Sequence, residues 1–302
     1  MVSLSILLPA SKNPIMLTFA RHPRRSVSNR KLRTWWAAEV SSDRASWRDL
    51  QRAGSTMGGL ERVIVPPRPR VTWLRLRAQS RGAPAELSSV GLYELDRGTG
   101  DVWLAVGASI QADAMDHVEF KLLLQERHGA DPVLFNRAVP GWTSQNLREA
   151  LPRLLEEFSE VKYVAIHIGG NNVSHSRPYP GGAARLRADL IAIVDMVQAA
   201  GKQPVLARLS YRRYRTRPVV GRESLGSGPY VESIYDPIIE TAMPRFFDHG
   251  RGVGAVDPYG WYRSNPRELG SDGVHLNAAG RRSWTRIWVD GVGPAVYGLA
   301  PQ

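Results

Sequence analysis

From Val102 onward the chain alternates short, largely apolar stretches with amphipathic ones, and no other feature of the sequence narrows the fold as much. The apolar stretches are VWLAV (102–106), PVLFNRAV (132–139), KYVAIHIG (162–169), QPVLARL (203–209) and GVGAVD (252–257). Each has the length of a strand. Helical patterns separate them at 112–127, at 143–158 with Thr143 or Ser144 as cap, at 183–201 and at 230–247, and a last helix covers 278–289. Strands this apolar are buried on both faces, which calls for helices on both sides of a parallel sheet. With right-handed crossovers, the prediction is a doubly wound, three-layer α/β/α sandwich with a five-stranded parallel sheet over residues 101–302. Ligands of such sheets sit beyond the carboxyl ends of the strands. The residues found there are Gly107–Ser109, Pro140–Thr143, Gly169–Asn172, Ser210–Arg217 and Asp257–Asn277.

The first hundred residues follow another pattern. RVTWLRLRA (70–78) and SSVGLYEL (88–95) read as strands, PPRPR (66–70) fits neither a helix nor a central strand, and RGTGD (97–101) reads as a turn. A small, mainly β region over 36–100 is expected. Residues 1–35 read as a basic arm, because Arg21, Arg24, Arg25, Arg30, Lys31 and Arg33 all precede the first acidic residue, Glu39. The apolar run Val2–Ala10 has no lysine or arginine ahead of it. The positive end of a signal peptide is therefore missing, and the cytoplasm is favoured over export. No apolar run has the length of a transmembrane segment.

Composition decides two further points. Without cysteine, the chain has no disulfide, no zinc–thiolate site and no cysteine nucleophile. The net charge of +12 is carried mostly by arginine, since lysine occurs only at Lys12, Lys31, Lys121, Lys162 and Lys202. Such a charge attracts anionic partners. No nucleic-acid-binding motif accompanies the arginines, so no specific nucleic-acid partner is expected.

Ser109 follows directly on the first strand, where a serine alone is more often a helix cap than a nucleophile. Three other strand ends shift that balance. VPGWTS places Gly141 just before a helix, IGGNNV carries Asn171 and Asn172, and SDGVHLNAAG sets Asp272 three residues ahead of His275. A serine hydroxyl becomes nucleophilic when an imidazole takes its proton. The imidazole in turn needs a carboxylate to fix its tautomer, and a spacing of three across Gly273 lets Asp272 reach Nδ1 of His275. The developing oxyanion needs converging donors, which the backbone N–H groups of Ser109 and Gly141 and the amide of Asn171 supply. No metal is expected: His167 reads as a core residue, and with His175 it forms no metal-binding spacing.

Glycine–serine after the first strand, glycine after the second, G-x-N after the third and D-x-x-H near the C-terminus resemble the four blocks of the SGNH hydrolases, or GDSL-type esterases, over residues 102–290. The resemblance implies a flavodoxin-like sandwich, a Ser109–His275–Asp272 triad, and an oxyanion hole of Ser109, Gly141 and Asn171. It implies no metal or organic cofactor. Two positions depart from the family pattern. Ala108 stands where Gly-Asp-Ser has its aspartate, and Asn172 stands where Gly-x-Asn-Asp has its last acid. Each removes a carboxylate that would help hold the site, which predicts a looser, slower centre. A β region ahead of such a domain is similar to two-domain carbohydrate esterases with a jelly-roll-like module.

The expected substrate is a short-chain acyl ester, acetyl above all, borne by a small molecule or a polysaccharide. LSYRRYRTRP (209–218) interleaves arginine with tyrosine at the active-site end of the sheet, a combination suited to an anionic sugar. Trp142, Tyr211, Arg212, Arg213 and Trp261 are the substrate-contact candidates. The competing function is a binding protein for an anionic glycan on an SGNH scaffold with weak or no catalysis, for which Ala108 and Asn172 are the sequence grounds.

Overall fold

The computed structural model describes residues 2–8, 14–21, 34–55, 59–67, 72–80, 87–94, 101–172, 182–213 and 230–298. The chain divides into two compact units, Met1–Thr99 and Gly100–Gln302.

The N-terminal unit is built from β1 (Val2–Leu8), β2 (Ile15–Arg21), β3 (Thr34–Ser41), β4 (Arg48–Ser55), β5 (Gly59–Val65), β6 (Thr72–Ser80) and β7 (Leu87–Glu94). They form two antiparallel sheets, in the orders β1-β6-β3-β4 and β5-β2-β7. Alternation along a strand sends every second side chain to one face. Trp36, Ala38 and Val40 of β3 therefore share one core with Leu74 and Leu76 of β6, Leu17 and Phe19 of β2, and Val63 and Val65 of β5. Phe19 meets Trp36 edge-on, with ring centroids 5.2 Å apart. Residues 2–8 and 15–21, expected as part of a basic arm, are thus strands. The apolar Met16, Leu17 and Phe19, all fully buried, outweigh the nearby arginines. Arg24, Arg25, Arg30, Lys31 and Arg33 lie outside the described residues.

The C-terminal unit contains the parallel strands β8 (Val102–Gly107), β9 (Val133–Asn136), β10 (Tyr163–His167) and β11 (Gln203–Leu206), ordered β11-β10-β8-β9. Every residue of β8 and β10 is buried, as a sheet covered on both faces requires. The helices are α1 (Ser109–Ala114), α2 (His117–His128), α3 (Ser144–Glu157), α4 (Gly182–Ala199), α5 (Asp236–Ala242), α6 (Pro258–Ser264) and α7 (Ala278–Tyr297). α3 packs against α4, while α1 and α2 pack against α7. This is the flavodoxin-like α/β architecture. Strand order reverses between β8 and β10, which opens a crevice where ligands of such folds bind. Among the described residues, no helix is long and apolar enough to cross a membrane.

Two local expectations change. Among the described residues, the parallel ladder has four strands, not five. In the stretch 252–257, Val253–Gly254 pairs antiparallel with Phe247–Asp248 instead, and the segment after β11 reaches the stretch through Arg208, whose N–H donates to the Val256 carbonyl (3.0 Å) and whose Nη1 donates to Asp257 Oδ1 (2.8 Å). The expected helix 112–127 is split in two. α1 begins on Ser109 itself, and Asp116 starts α2 afresh by accepting the N–H groups of Val118 and Glu119 at 2.8 and 2.9 Å.

Candidate active site

The turn after β8 is shaped by contact with β10. Gly107 has φ +153°, and a Cβ there would lie 2.1 Å from the His167 carbonyl oxygen, so only glycine fits. The Ala108 N–H donates to that same carbonyl at 3.3 Å. Ser109 follows as the first residue of α1, where helix geometry leaves its N–H without a carbonyl partner. Its Oγ lies 2.9 Å from Nε2 of His275, and His275 Nδ1 lies 2.6 Å from Oδ2 of Asp272. With Nδ1–H directed at the carboxylate, Nε2 is left as the acceptor for the serine proton.

Asp272 and His275 are fixed by their own loop. Asp272 Oδ1 accepts the N–H groups of Val274 and His275, each at 2.9 Å. Burial alone would raise the Asp272 carboxyl. The bonds from the His275 ring and from those two N–H groups outweigh it and hold the carboxyl at about 2. Gly273, at φ +70°, lets the loop lie flat against Arg213, whose N–H donates to the Gly273 carbonyl at 2.8 Å. The Asp272 and His275 side chains are 51% and 49% exposed, so the centre opens directly to solvent.

The candidate oxyanion donors sit on two neighbouring loops. Gly141, at φ +85°, turns the chain between β9 and α3. Asn171 lies in the turn after β10 and gives one amide hydrogen to the Trp142 carbonyl at 2.8 Å, leaving the other available. Gly169 (φ +109°) keeps that turn tight under Tyr235, whose hydroxyl donates to the Ile168 carbonyl at 2.6 Å. The loops are joined a second time through Asn172. Its Oδ1 accepts the Ser144 N–H at 2.9 Å, and its Nδ2 donates to Ser144 Oγ at 2.8 Å. The expectation that an amide at 172 leaves this turn unsupported is therefore corrected, because Asn172 makes two bonds to Ser144.

The remaining candidates fall in different surroundings. Trp142 contributes its carbonyl to Asn171. The Tyr211 ring meets Tyr259 edge-on at 5.8 Å, and Trp261 Nε1 donates to Glu268 at 2.9 Å. Arg213 is exposed beside the acid–base loop. Arg212, expected at the substrate, is 8% exposed, with its guanidinium packed against Gly170. Arg215 and Arg217 lie outside the described residues. His167 is a buried core residue 3.1 Å from Ser210 Oγ, and burial together with the Arg212 charge pushes it down to about 3, so it stays neutral. Among the described residues, no group of three or more His, Cys, Asp or Glu is placed to hold a metal ion.

Two members of the centre's support were missed from sequence. The sequence offers Ser144 only as an alternative cap, yet Thr143 is the cap, and buried Ser144 donates to Asp189 Oδ2 at 2.7 Å. Asp189 sits among Leu186, Leu190, Ile193 and Val194, the buried face of α4. An acidic residue on an apolar helical stripe was the signal that could have found it.

Comparison with known proteins identifies the family of the C-terminal unit. The model of the GDSL-like Lipase/Acylhydrolase family matches residues 105–282. Among solved structures, a catalytic mutant of Axe2, an acetylxylan esterase from Geobacillus stearothermophilus, is 19% identical, covering 65% of this chain and 95% of its own at a TM-score of 0.50. A second catalytic mutant of the same protein is 18% identical over the same shares, also at 0.50. A lipase/acylhydrolase from Enterococcus faecalis is 20% identical, covering 67% of this chain and 98% of its own at 0.49. No curated protein matches the sequence.

Proposed function

The chain belongs to the GDSL-like lipase/acylhydrolase family of ester-hydrolysing serine hydrolases, and on that premise we propose that Ser109, His275 and Asp272 are its catalytic triad. The observation that carries this is the unbroken line of hydrogen bonds from Ser109 Oγ through the imidazole to Asp272, at 2.9 and 2.6 Å. Ser109 Oγ attacks the ester carbonyl as its proton passes to His275 Nε2. The N–H groups of Ser109 and Gly141 and the free amide hydrogen of Asn171 receive the oxyanion. His275 then protonates the leaving alcohol. Water, deprotonated by the same imidazole, releases the acid and restores the serine. No step needs a cofactor.

The preferred substrate is a short acyl ester, acetyl above all, carried by a carbohydrate. The half-exposed triad supports this, because an acyl group projecting from a bulky chain can reach it without entering a deep cavity. The acetylxylan esterase among the structural neighbours illustrates such a substrate, although at 19% identity it speaks for the fold alone. An anionic group on that carbohydrate would meet Arg213, which is exposed beside the acid–base loop. The rival, a binding scaffold with failed catalysis, rested on Ala108 and Asn172, and the bonds that Asn172 makes weigh against half of it.

Hydrolysis of p-nitrophenyl acetate and its longer homologues by wild type and Ser109→Ala is the test. The expected result is activity that falls with acyl length and drops by at least about a thousandfold in the variant. A folded wild type without turnover, or an active Ser109→Ala, would overturn the assignment.

A further inference from the structure

We infer that Asn172 and Asp189 are a matched pair, coupled through the single proton of Ser144, that positions Asn171, and that this site therefore requires an amide at 172. The inference rests on Asn171 being an oxyanion donor.

The Ser144 hydroxyl has one proton to give and two lone pairs. It gives the proton to Asp189 Oδ2 at 2.7 Å, while Arg148 pairs with Oδ1 of the same carboxylate at 2.7 Å. Only lone pairs then face Asn172, so the group opposite must be a donor. Nδ2 of Asn172 is that donor, and its Oδ1 takes the Ser144 N–H. Rotating the amide by half a turn would oppose donor to donor and acceptor to acceptor, so the network itself assigns the orientation. Asn172 is 5% exposed, and Ser144 and Asp189 are fully buried, so no solvent is available to repair a mismatch.

Among the described residues, the charged groups around position 172 include Asp189 from α4, Arg148 from α3 and, on the far side of the turn, Arg212 against Gly170. Arg185 of α4 is turned to Gln145 at 3.3 Å. A carboxylate at 172 would be the residue usual in the family, yet here it would face a hydroxyl whose proton is already committed. Two carboxylates would compete for one proton, and the folded chain would have to take up another proton to satisfy both. The folded state then binds protons more tightly than the unfolded one. Its stability is retained at low pH and lost as pH rises through and above the ordinary carboxylate range. Because Asn172 follows Asn171 directly, the same mismatch would shift the oxyanion donor.

The test compares wild type, Asn172→Asp, Asp189→Asn and the exchanged pair Asn172→Asp/Asp189→Asn, by Tm at about pH 5 and about pH 8 and by kcat and KM for p-nitrophenyl acetate. For Asn172→Asp, the expected Tm deficit widens from pH 5 to pH 8. Its kcat at pH 8 is at least about tenfold lower with KM little changed, as for loss of a contact made in the transition state. The exchanged pair recovers most of both, since the amide at 189 now donates to Ser144 and the hydroxyl donates to the carboxylate at 172. Asp189→Asn alone lowers Tm as well, because an amide whose carbonyl accepts the hydroxyl proton turns its NH2 towards Arg148, but it adds no carboxylate and its deficit does not widen from pH 5 to pH 8. An Asn172→Asp protein with wild-type Tm at pH 8 overturns the inference, and so does an exchanged pair no better than Asn172→Asp. If Asn172→Asp does not fold, a folded exchanged pair supports the pairing and an unfolded one overturns it. The Tm comparisons decide the pairing even if the esterase assignment fails, and a pairing that fails in an active esterase leaves that assignment standing.

Discussion

At Asp272 two opposed effects meet on one carboxyl. Burial raises its proton affinity from the ordinary 3.8, and three hydrogen bonds lower it further than burial raises it, to about 2. The group is therefore ionised throughout the range in which an imidazole can act as base, and any acid limb of kcat/KM above pH 4 belongs to another group. Asp272→Asn keeps the shape but loses the charge that holds the Nδ1–H tautomer of His275. The expected loss in kcat is about a hundredfold to ten-thousandfold, read with p-nitrophenyl acetate. A folded pKa below the unfolded one stabilises the protein above the unfolded value, and that stability is lost as pH falls through the folded value. The Tm advantage of wild type over Asp272→Asn should therefore be present above about pH 4 and disappear towards pH 2. With the side chain half exposed, water screens it and the advantage is small. An advantage that grew on acidification would contradict the hydrogen-bond account.

The α3 terminus shows how an element carries the site. Thr143 caps it in a reciprocal box with Asn146, and its two neighbours bond the β10 turn, Trp142 through Asn171 and Ser144 through Asn172. Thr143→Ala should cost about 1 kcal/mol in urea unfolding and lower kcat, because fraying releases both contacts. Unchanged kcat beside the expected loss of stability would separate the cap from the centre. Asp272 and His275, in the loop between α6 and α7, were read from their spacing of three, and the turns that carry Ser109, Gly141 and Asn171 were legible in sequence because each follows a strand of the sheet, and strand length is readable from apolar runs. Asp189 was not, since its partner is 45 residues away and only the packing of α3 on α4 brings them together. The fifth strand failed for a related reason. GVGAVD has the composition of a buried strand, but composition does not say that Val253 and Gly254 will pair with Phe247 and Asp248.

Across the whole molecule, the sequence marked a change of pattern near residue 100, and the two compact units divide at Thr99 and Gly100. Strands β1 and β2 stand where a basic arm is expected because arginines and prolines flank these short apolar runs, and charge near a strand does not prevent burial of its alternate residues. Each unit has its own apolar core. Among the described residues, that of the N-terminal sandwich runs from Leu8 to Leu76. Phe19 is fully buried in it against Trp36, and Phe19→Ala should remove about 3–5 kcal/mol from that unit alone. Separate cores unfold separately unless an interface couples them. Calorimetry of Phe19→Ala should therefore show an early transition split from the main one, with p-nitrophenyl acetate hydrolysis at 25 °C within about twofold of wild type. A single shifted transition, with activity lost in step, would mean that the sandwich stabilises the catalytic unit as well as itself. Any effect of Phe19→Ala confined to polymer-borne esters would instead place the sandwich in substrate capture, because a small ester samples only the chemistry at Ser109.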